Sequence, residues 1–261
     1  MRKKLPNHCL SDEESSKRFH EYFSIFPWDD LPSAPEGFDM GCGSGRWARL
    51  VASRVSLLHC IEPSKAIEMA RRNLAKQKNI LFHRGSVDEP GISPNSQDFG
   101  VSLGVLHHVP DTGSAIRSCV ELLKPGAPLL LYLYYAFDNR PWWFRLIWRF
   151  SDVGRRIIFR LPAKLKNIVT DLIALLIYWP LAKISLVVER TGREVSSIPL
   201  SYYRQYSFYT MRTDARDRFG TPLEKRFTRQ QIRAMMQDAG LINIQFSDNA
   251  PYWCVVGRRN R

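Results

Sequence analysis

This chain of 261 residues is short of acid relative to base: 25 Asp and Glu stand against 38 Lys and Arg, a net charge of +13. Such a surplus says nothing about the fold but favours an anionic partner, either nucleic acid or an anionic membrane surface. Metal-ligand spacing is absent as well. The five cysteines (Cys9, Cys42, Cys60, Cys119, Cys254) are scattered, so no metal is expected and they read as buried free thiols of a reducing compartment. Met1-Arg2-Lys3-Lys4 is followed by polar residues rather than an apolar run, so no signal peptide is visible and a cytoplasmic location is expected. No Gly-Lys pair occurs anywhere, which excludes a phosphate-cradling Gly-x-x-x-x-Gly-Lys-Ser/Thr loop. The dinucleotide pattern Gly-x-Gly-x-x-Gly fails too, because its third glycine position, counted from Gly41, is the bulky Arg46.

What is present is a strand, a glycine turn and a helix start, in that order. Phe38 to Met40 reads as the end of a buried strand. Gly41, Cys42, Gly43, Ser44 and Gly45 then make a tight turn, and a helix opens at Arg46 with Trp47, Leu50 and Val51 inward. Glycines at alternate positions accept positive φ and let a ligand approach the backbone, the arrangement of a nucleotide pocket at the carboxyl end of a parallel strand. Seventeen positions after Gly45 the apolar run Leu57–Ile61 ends in Glu62, and a carboxylate there can accept both hydrogen bonds of a ribose diol. With Asp39 leading, acidic-x-Gly-x-Gly-x-Gly resembles the first motif of the class I S-adenosylmethionine-dependent methyltransferases. The resemblance covers Gly37 to Tyr134 and Phe227 to Gly257. It implies S-adenosylmethionine as cofactor, held by Asp39, Gly41, Cys42, Gly43, Gly45, Glu62, Pro63 and Leu103. It also implies a Rossmann-like α/β fold, a seven-stranded sheet of order 3-2-1-4-5-7-6 with helices on both faces.

Around this centre the chain alternates strands and helices. Ser11 caps a first helix to Phe26, whose Phe19, Tyr22, Phe23 and Phe26 form a core-facing stripe; in the resembling family such a helix often covers the cofactor, which would bring Trp28 near the pocket. A helix follows over Pro63–Lys76, then a strand over Asn79–His83. Gly85-Ser86-Val87-Asp88 stands where the family usually has Gly-Asp-Ala, so Ser86 replaces the aspartate that lies near the adenine amino group, with the Val87 backbone at the adenine edge. Gly100 to Leu103 is a fourth strand, ending in Gly104-Val105-Leu106-His107-His108. That segment resembles the small-molecule methyltransferases that include the ubiquinone and menaquinone enzymes, which implies a place beside the methyl-bearing sulfur. His107 is the first candidate for a base toward the acceptor and His108 the second. Asp111 caps a helix to Lys124, and Ala127–Tyr134 is a central strand buried on both faces. Thr228 caps a helix to Ala239, and Leu241–Phe246 and Trp253–Val256 close the sheet.

The alternation breaks at 139–200, read as a basic amphipathic helical insertion within a single domain of residues 1–261. It holds eleven Lys and Arg against four Asp and Glu, a surplus of seven, together with Trp142, Trp143, Trp148 and Trp179. Its uncharged run, Leu172 to Ala182, is eleven residues interrupted by Pro180, short of the roughly 20 a bilayer span needs. Tyr202, Tyr206 and Arg218 beyond it are candidates to line an acceptor pocket. The favoured reading is methyl transfer to a small-molecule or lipid- or sugar-linked acceptor, with the insertion as a lid and a patch facing an anionic membrane surface, peripheral at its inner face; for the insertion the alternative is a buried helical cap or a dimer interface. An RNA methyltransferase is disfavoured: Leu103-Gly104-Val105-Leu106 stands where an Asn/Asp-Pro-Pro-aromatic motif would be, and the basic residues alternate with bulky apolar ones. A non-catalytic scaffold that binds S-adenosylmethionine is the third reading. Oligomeric state is not legible.

Overall fold

The structure, a computed structural model, describes residues 12–261; Cys9, the basic stretch 1–4 and the Ser11 cap lie outside the described residues. In chain order the elements are α1 (Asp12–Phe23), β1 (Glu36–Met40), α2 (Ala48–Ala52), β2 (Leu57–Ile61), α3 (Ala66–Asn73), β3 (Ile80–His83), β4 (Phe99–Leu103), α4 (Thr112–Leu122) and β5 (Pro128–Tyr132). There follow α5 (Trp142–Ile158), α6 (Ala163–Ile173), α7 (Trp179–Arg190), α8 (Phe208–Gly220), α9 (Arg229–Asp238), β6 (Leu241–Phe246) and β7 (Cys254–Arg259). The seven strands form one sheet of order β3-β2-β1-β4-β5-β7-β6, the order that the resemblance implied. β7 runs antiparallel to β5 and β6, and the other neighbours are parallel.

The described residues divide into two compact units, Arg18–Tyr135 with Lys225–Arg261, and Ala136–Glu224 with residues 12–17. In the first, side chains alternate between the two faces of the sheet, as a doubly covered parallel sheet requires. Leu58, Cys60, Val101 and Leu130 pack with Phe19, Phe23, Trp47, Val51 and Ile67 on one face, while Phe38, Ile61, Leu129 and Leu131 pack with Ile116, Val120, Ile232 and Met236 on the other. The two central strands are fitted by reciprocal glycine–phenylalanine pairs. Gly37 faces Phe99 and Phe38 faces Gly100 across β1 and β4, and both rings are fully buried. A Cβ on Gly37 would meet the Phe99 ring at 2.2 Å, and one on Gly100 would meet the Phe38 ring at 2.3 Å. Each ring therefore occupies the volume its partner's missing side chain leaves. Helix starts follow local rules: Asp111 accepts from Ser114 N at 3.0 Å, and Thr228 with Gln231 forms a reciprocal capping box.

The second unit is wider than the 139–200 insertion expected from charge pattern. It extends to Glu224 because α8 lends Met211, Ala215 and Phe219 to a small core with Ala174, Tyr178 and Ala182. Neither does Pro180 interrupt the helix. Helix runs unbroken over Ala163–Arg190, 28 residues, and is long and apolar enough to cross a membrane; the eleven-residue count measured only its charge-free middle. A π-helical stretch, Ala174–Tyr178, precedes Pro180. A wider turn there relieves the clash of the proline ring with the carbonyl four residues back. Among the described residues the cysteines Cys42, Cys60, Cys119 and Cys254 are all free and buried.

The paired glycines give a test of the sheet. Gly37→Ala and Gly100→Ala should each lower stability by about 1–3 kcal/mol, the usual cost of overpacking a filled core. Urea unfolding measures this, and adding Phe99→Leu to Gly37→Ala should recover part of the loss by freeing the volume the new methyl needs.

Candidate cofactor site

The glycine turn sits where β1 ends, tied to its neighbour strand: Gly41 N and Cys42 N both donate to Ile61 O, at 2.8 and 3.1 Å. Gly41, Gly43 and Gly45 have φ of +77°, +57° and +85°, values that L side chains tolerate poorly. Their surroundings differ in an informative way. A Cβ at Gly41 would strike Val105, and one at Gly45 would strike Leu74, whereas one at Gly43 would meet nothing within 4 Å. The outer two glycines are required by packing, and the middle one faces open space. The helix behind the turn is shorter than a start at Arg46 predicts, with Trp47 at its cap and only Ala48–Ala52 helical.

Glu62, at the tip of β2, spans this opening. Its Oε2 accepts from Gly43 N at 3.1 Å and its Oε1 from Ser64 N at 3.0 Å, so both oxygens are held in place with lone pairs left over for a diol. Asp39 lies behind, almost fully buried, with its Oδ2 lacking any hydrogen-bond partner. Burial, and secondarily the Glu62 charge, push the Asp39 carboxyl up to about 7. A cavity of about 400 Å³ opens beside the turn between Gly41, Pro63, Ser86, Val87, Val105 and Asp111. Asp88 also lines it, a carboxylate two positions after Ser86, the place where the motif puts its acid and so the position that sequence pattern singles out. Leu103 is in the core beneath, and Trp28 packs in the same core as Phe19, Phe23 and Phe26 and is not part of the cavity lining.

The two histidines differ. His107 is completely buried, stacked on Tyr134 at 3.8 Å, and neither ring nitrogen has a hydrogen-bond partner. Burial, then the nearby His108 and Arg226, hold its pKa well below the usual imidazole value. His108 is half-buried, 4.1 Å from the His107 ring. Neither lines the cavity. Tyr202, Tyr206 and Arg218 belong to the helical unit, where Tyr202 packs on Tyr206 at 5.1 Å and Arg218 donates to Ser151 Oγ at 2.7 Å.

Residues 38–131, which carry the glycine turn, Glu62 and the end of β4, match the family described as a methyltransferase domain. Residues 38–131 are thus similar to a methyltransferase domain, and the sheet around them has the strand order that the resemblance to the class I S-adenosylmethionine-dependent methyltransferases implied. Curated relatives of this chain include the ubiquinone biosynthesis O-methyltransferases of Coxiella burnetii, 26% identical over 48% of this chain and 52% of theirs. That of Vibrio vulnificus is 34% identical over 39% of this chain and 43% of its own length. The chain thus spans about half the length, or less, of the curated relatives it matches. Among solved structures, an O-methyltransferase family protein from Burkholderia thailandensis superposes with a TM-score of 0.55 at 14% identity, over 94% of this chain and 56% of its own. A Haemonchus contortus phosphoethanolamine N-methyltransferase 2, solved with S-adenosyl-L-methionine, gives 0.51 at 17%, over 94% and 41%. The residues of the turn fit that cofactor. The space at Gly43 takes a close ligand, Glu62 has acceptor capacity for ribose hydroxyls, and the unpartnered Asp39 oxygen suits a cationic neighbour.

Asp39 makes the protein pH-sensitive. A carboxyl raised from 3.8 to about 7 on folding contributes stability that is full below pH 3.8 and lost as pH climbs through about 7. The displacement corresponds to at most ~4 kcal/mol. Asp39→Asn should therefore melt progressively above wild type as the pH of the thermal scan is raised from 4 to 7. Parallel curves for the two proteins would remove the buried carboxyl as the cause.

Proposed function

We propose that this chain transfers the methyl group of S-adenosylmethionine to the oxygen of a small-molecule or lipid- or sugar-linked acceptor. The observation that carries the reading is the pairing of Glu62 with the open glycine: a fixed carboxylate beside a backbone that a ligand can touch. The cofactor, when bound, supplies a methyl on a sulfonium leaving group, so the protein's work is chiefly alignment, which effective-molarity estimates put at roughly 7–11 kcal/mol. Gly43 and Glu62 would hold the ribose side, and Ser86, Val87 and Asp88 would border the adenine. The curated relatives named as O-methyltransferases support a hydroxyl acceptor, which needs a proton acceptor as it reacts. His107 is our choice for that base. It is buried beneath the Val105–Val109 edge of the cavity, its two ring nitrogens have no hydrogen-bond partner that an acceptor hydroxyl would otherwise replace, and its lowered pKa keeps it neutral at physiological pH.

Incubation with methyl-labelled S-adenosylmethionine and extracts divided into lipid, sugar and RNA fractions tests the reaction, with label expected in the lipid or sugar fraction and RNA unlabelled. Glu62→Ala should weaken S-adenosylmethionine binding by about 1.5–3 kcal/mol in calorimetry, and an unchanged affinity would take Glu62 out of the site. His107→Ala should slow turnover about 10²-fold with cofactor affinity intact. Because burial lowers the His107 pKa, the wild-type rate should hold steady as pH falls below 6.5 before it declines. A full-rate His107→Ala enzyme would dismiss the base while leaving the methyl transfer standing.

A further inference from the structure

Within the helical unit, α5 presents two opposed faces. Phe144, Asp152 and Arg155 are buried; Arg155 donates to Asp152 and to the carbonyls of Thr221 and Pro222. On the other side Trp142, Leu146, Phe150, Val153 and Ile157 are exposed, Trp142 by 74% and Phe150 by 71%. Their spacing of four, four, three and four residues places them on a single stripe. Arg145, Arg149 and Arg156, each three residues past a member of that stripe, are exposed as well, and form a basic border along it. Arg145 and Arg149 make no ion pair among the described residues. A soluble helix normally turns such a stripe inward, whereas a helix lying in a membrane interface turns it outward with basic residues alongside.

The long helix repeats the pattern. Its Thr170, Ala174, Tyr178, Ala182 and Ser185 are buried, while Leu165, Ile168, Leu172, Leu175, Leu176 and Trp179 are exposed. Only 22% of its most apolar window is buried, so it is not the core helix of a soluble bundle. Nor is it free to cross a bilayer. Asp171 takes both hydrogen bonds of the Arg216 guanidinium at 2.8 and 2.7 Å, Glu189 pairs with Arg204 at 2.7 Å, and charged α8 packs along it. Crossing would carry those pairs into hydrocarbon, where ionised groups are costly.

We propose that α5 and the outer face of the Ala163–Arg190 helix lie flat in the surface of a bilayer containing anionic phospholipid. The apolar stripes enter the acyl boundary, and Arg145, Arg149 and Arg156 meet lipid phosphates. Charge complementarity selects this occupant over a second copy of the chain, whose identical arginine border would repel.

The test is co-sedimentation of the full chain with vesicles of phosphatidylcholine alone or mixed with phosphatidylserine, at low and high salt, with mass in solution recorded in parallel. Binding should require phosphatidylserine and weaken with salt. Trp142→Ser/Leu146→Ser/Phe150→Ser and, separately, Arg145→Glu/Arg149→Glu should each cut vesicle affinity by about tenfold or more, with the melting temperature of both variants unchanged because all five side chains are exposed. Sodium carbonate should release the bound protein; resistance to carbonate would overturn the flat placement in favour of a span. Wild-type protein that ignores both vesicles, or a dimer that the serine variant dissociates while vesicle binding persists, would overturn the proposal. Methyl transfer is read separately and does not enter these outcomes.

Discussion

The architecture depends on two phenylalanine rings seated on two glycines. Phe99 over Gly37 and Phe38 over Gly100 let β1 and β4 pack with a full ring on each face of the sheet and no lateral displacement. Because side chains alternate with a period of two, a slip of one residue would put ring against ring on one face and leave a hole on the other. The fixed register sets where both strands end. β1 ends at Met40, so the glycine turn begins level with the tip of β2. β4 ends at Leu103, so Gly104, at φ +79°, carries the chain into the Val105–His108 turn beside the same opening. Site geometry is in this sense a by-product of core packing several residues away.

At the opening, two carboxylates receive opposite treatment. Glu62 has its charge dispersed over two backbone N–H groups, while Asp39, almost adjacent in space to the same turn, is dry and short of a partner. The second arrangement costs stability, and proteins retain such costs mainly where a ligand removes them. The same argument applies to His107, whose ring stacks well but bonds to nothing. Unsatisfied groups of both signs of chemistry, one acid and one base, thus lie near the carboxyl edge of the central strands.

Much of this was legible because the signals are local. A glycine turn between an apolar run and a helix, an acid closing the next run, and Asp111 and Thr228 at their caps are all short-range patterns, and they stand where they were expected. The sheet order was not legible from periodicity, since a strand buried on both faces carries no trace of its neighbours; it came from resemblance. In the helical unit, charge marks neither the ends of the long helix nor the limits of the small core. Asp171 and Lys183 interrupt the apolar composition but sit on a helix that continues past them. The charged run Arg212–Arg218 hides Met211, Ala215 and Phe219, which face inward. Only the fold shows that charges at these positions pair with one another or reach the edge of a face.

The chain leaves the sheet at Tyr135 and rejoins it at Phe227, and these two residues bridge each other directly, with Phe227 N donating to Tyr134 O at 2.9 Å. Everything between is therefore a closed excursion whose two ends are already side by side. The entropic penalty of closing such an excursion rises only logarithmically with its length, by about 0.6 kcal/mol for each doubling. The β1–β4 pairing and the glycine turn both lie outside that excursion. Modularity here arises from one backbone bridge.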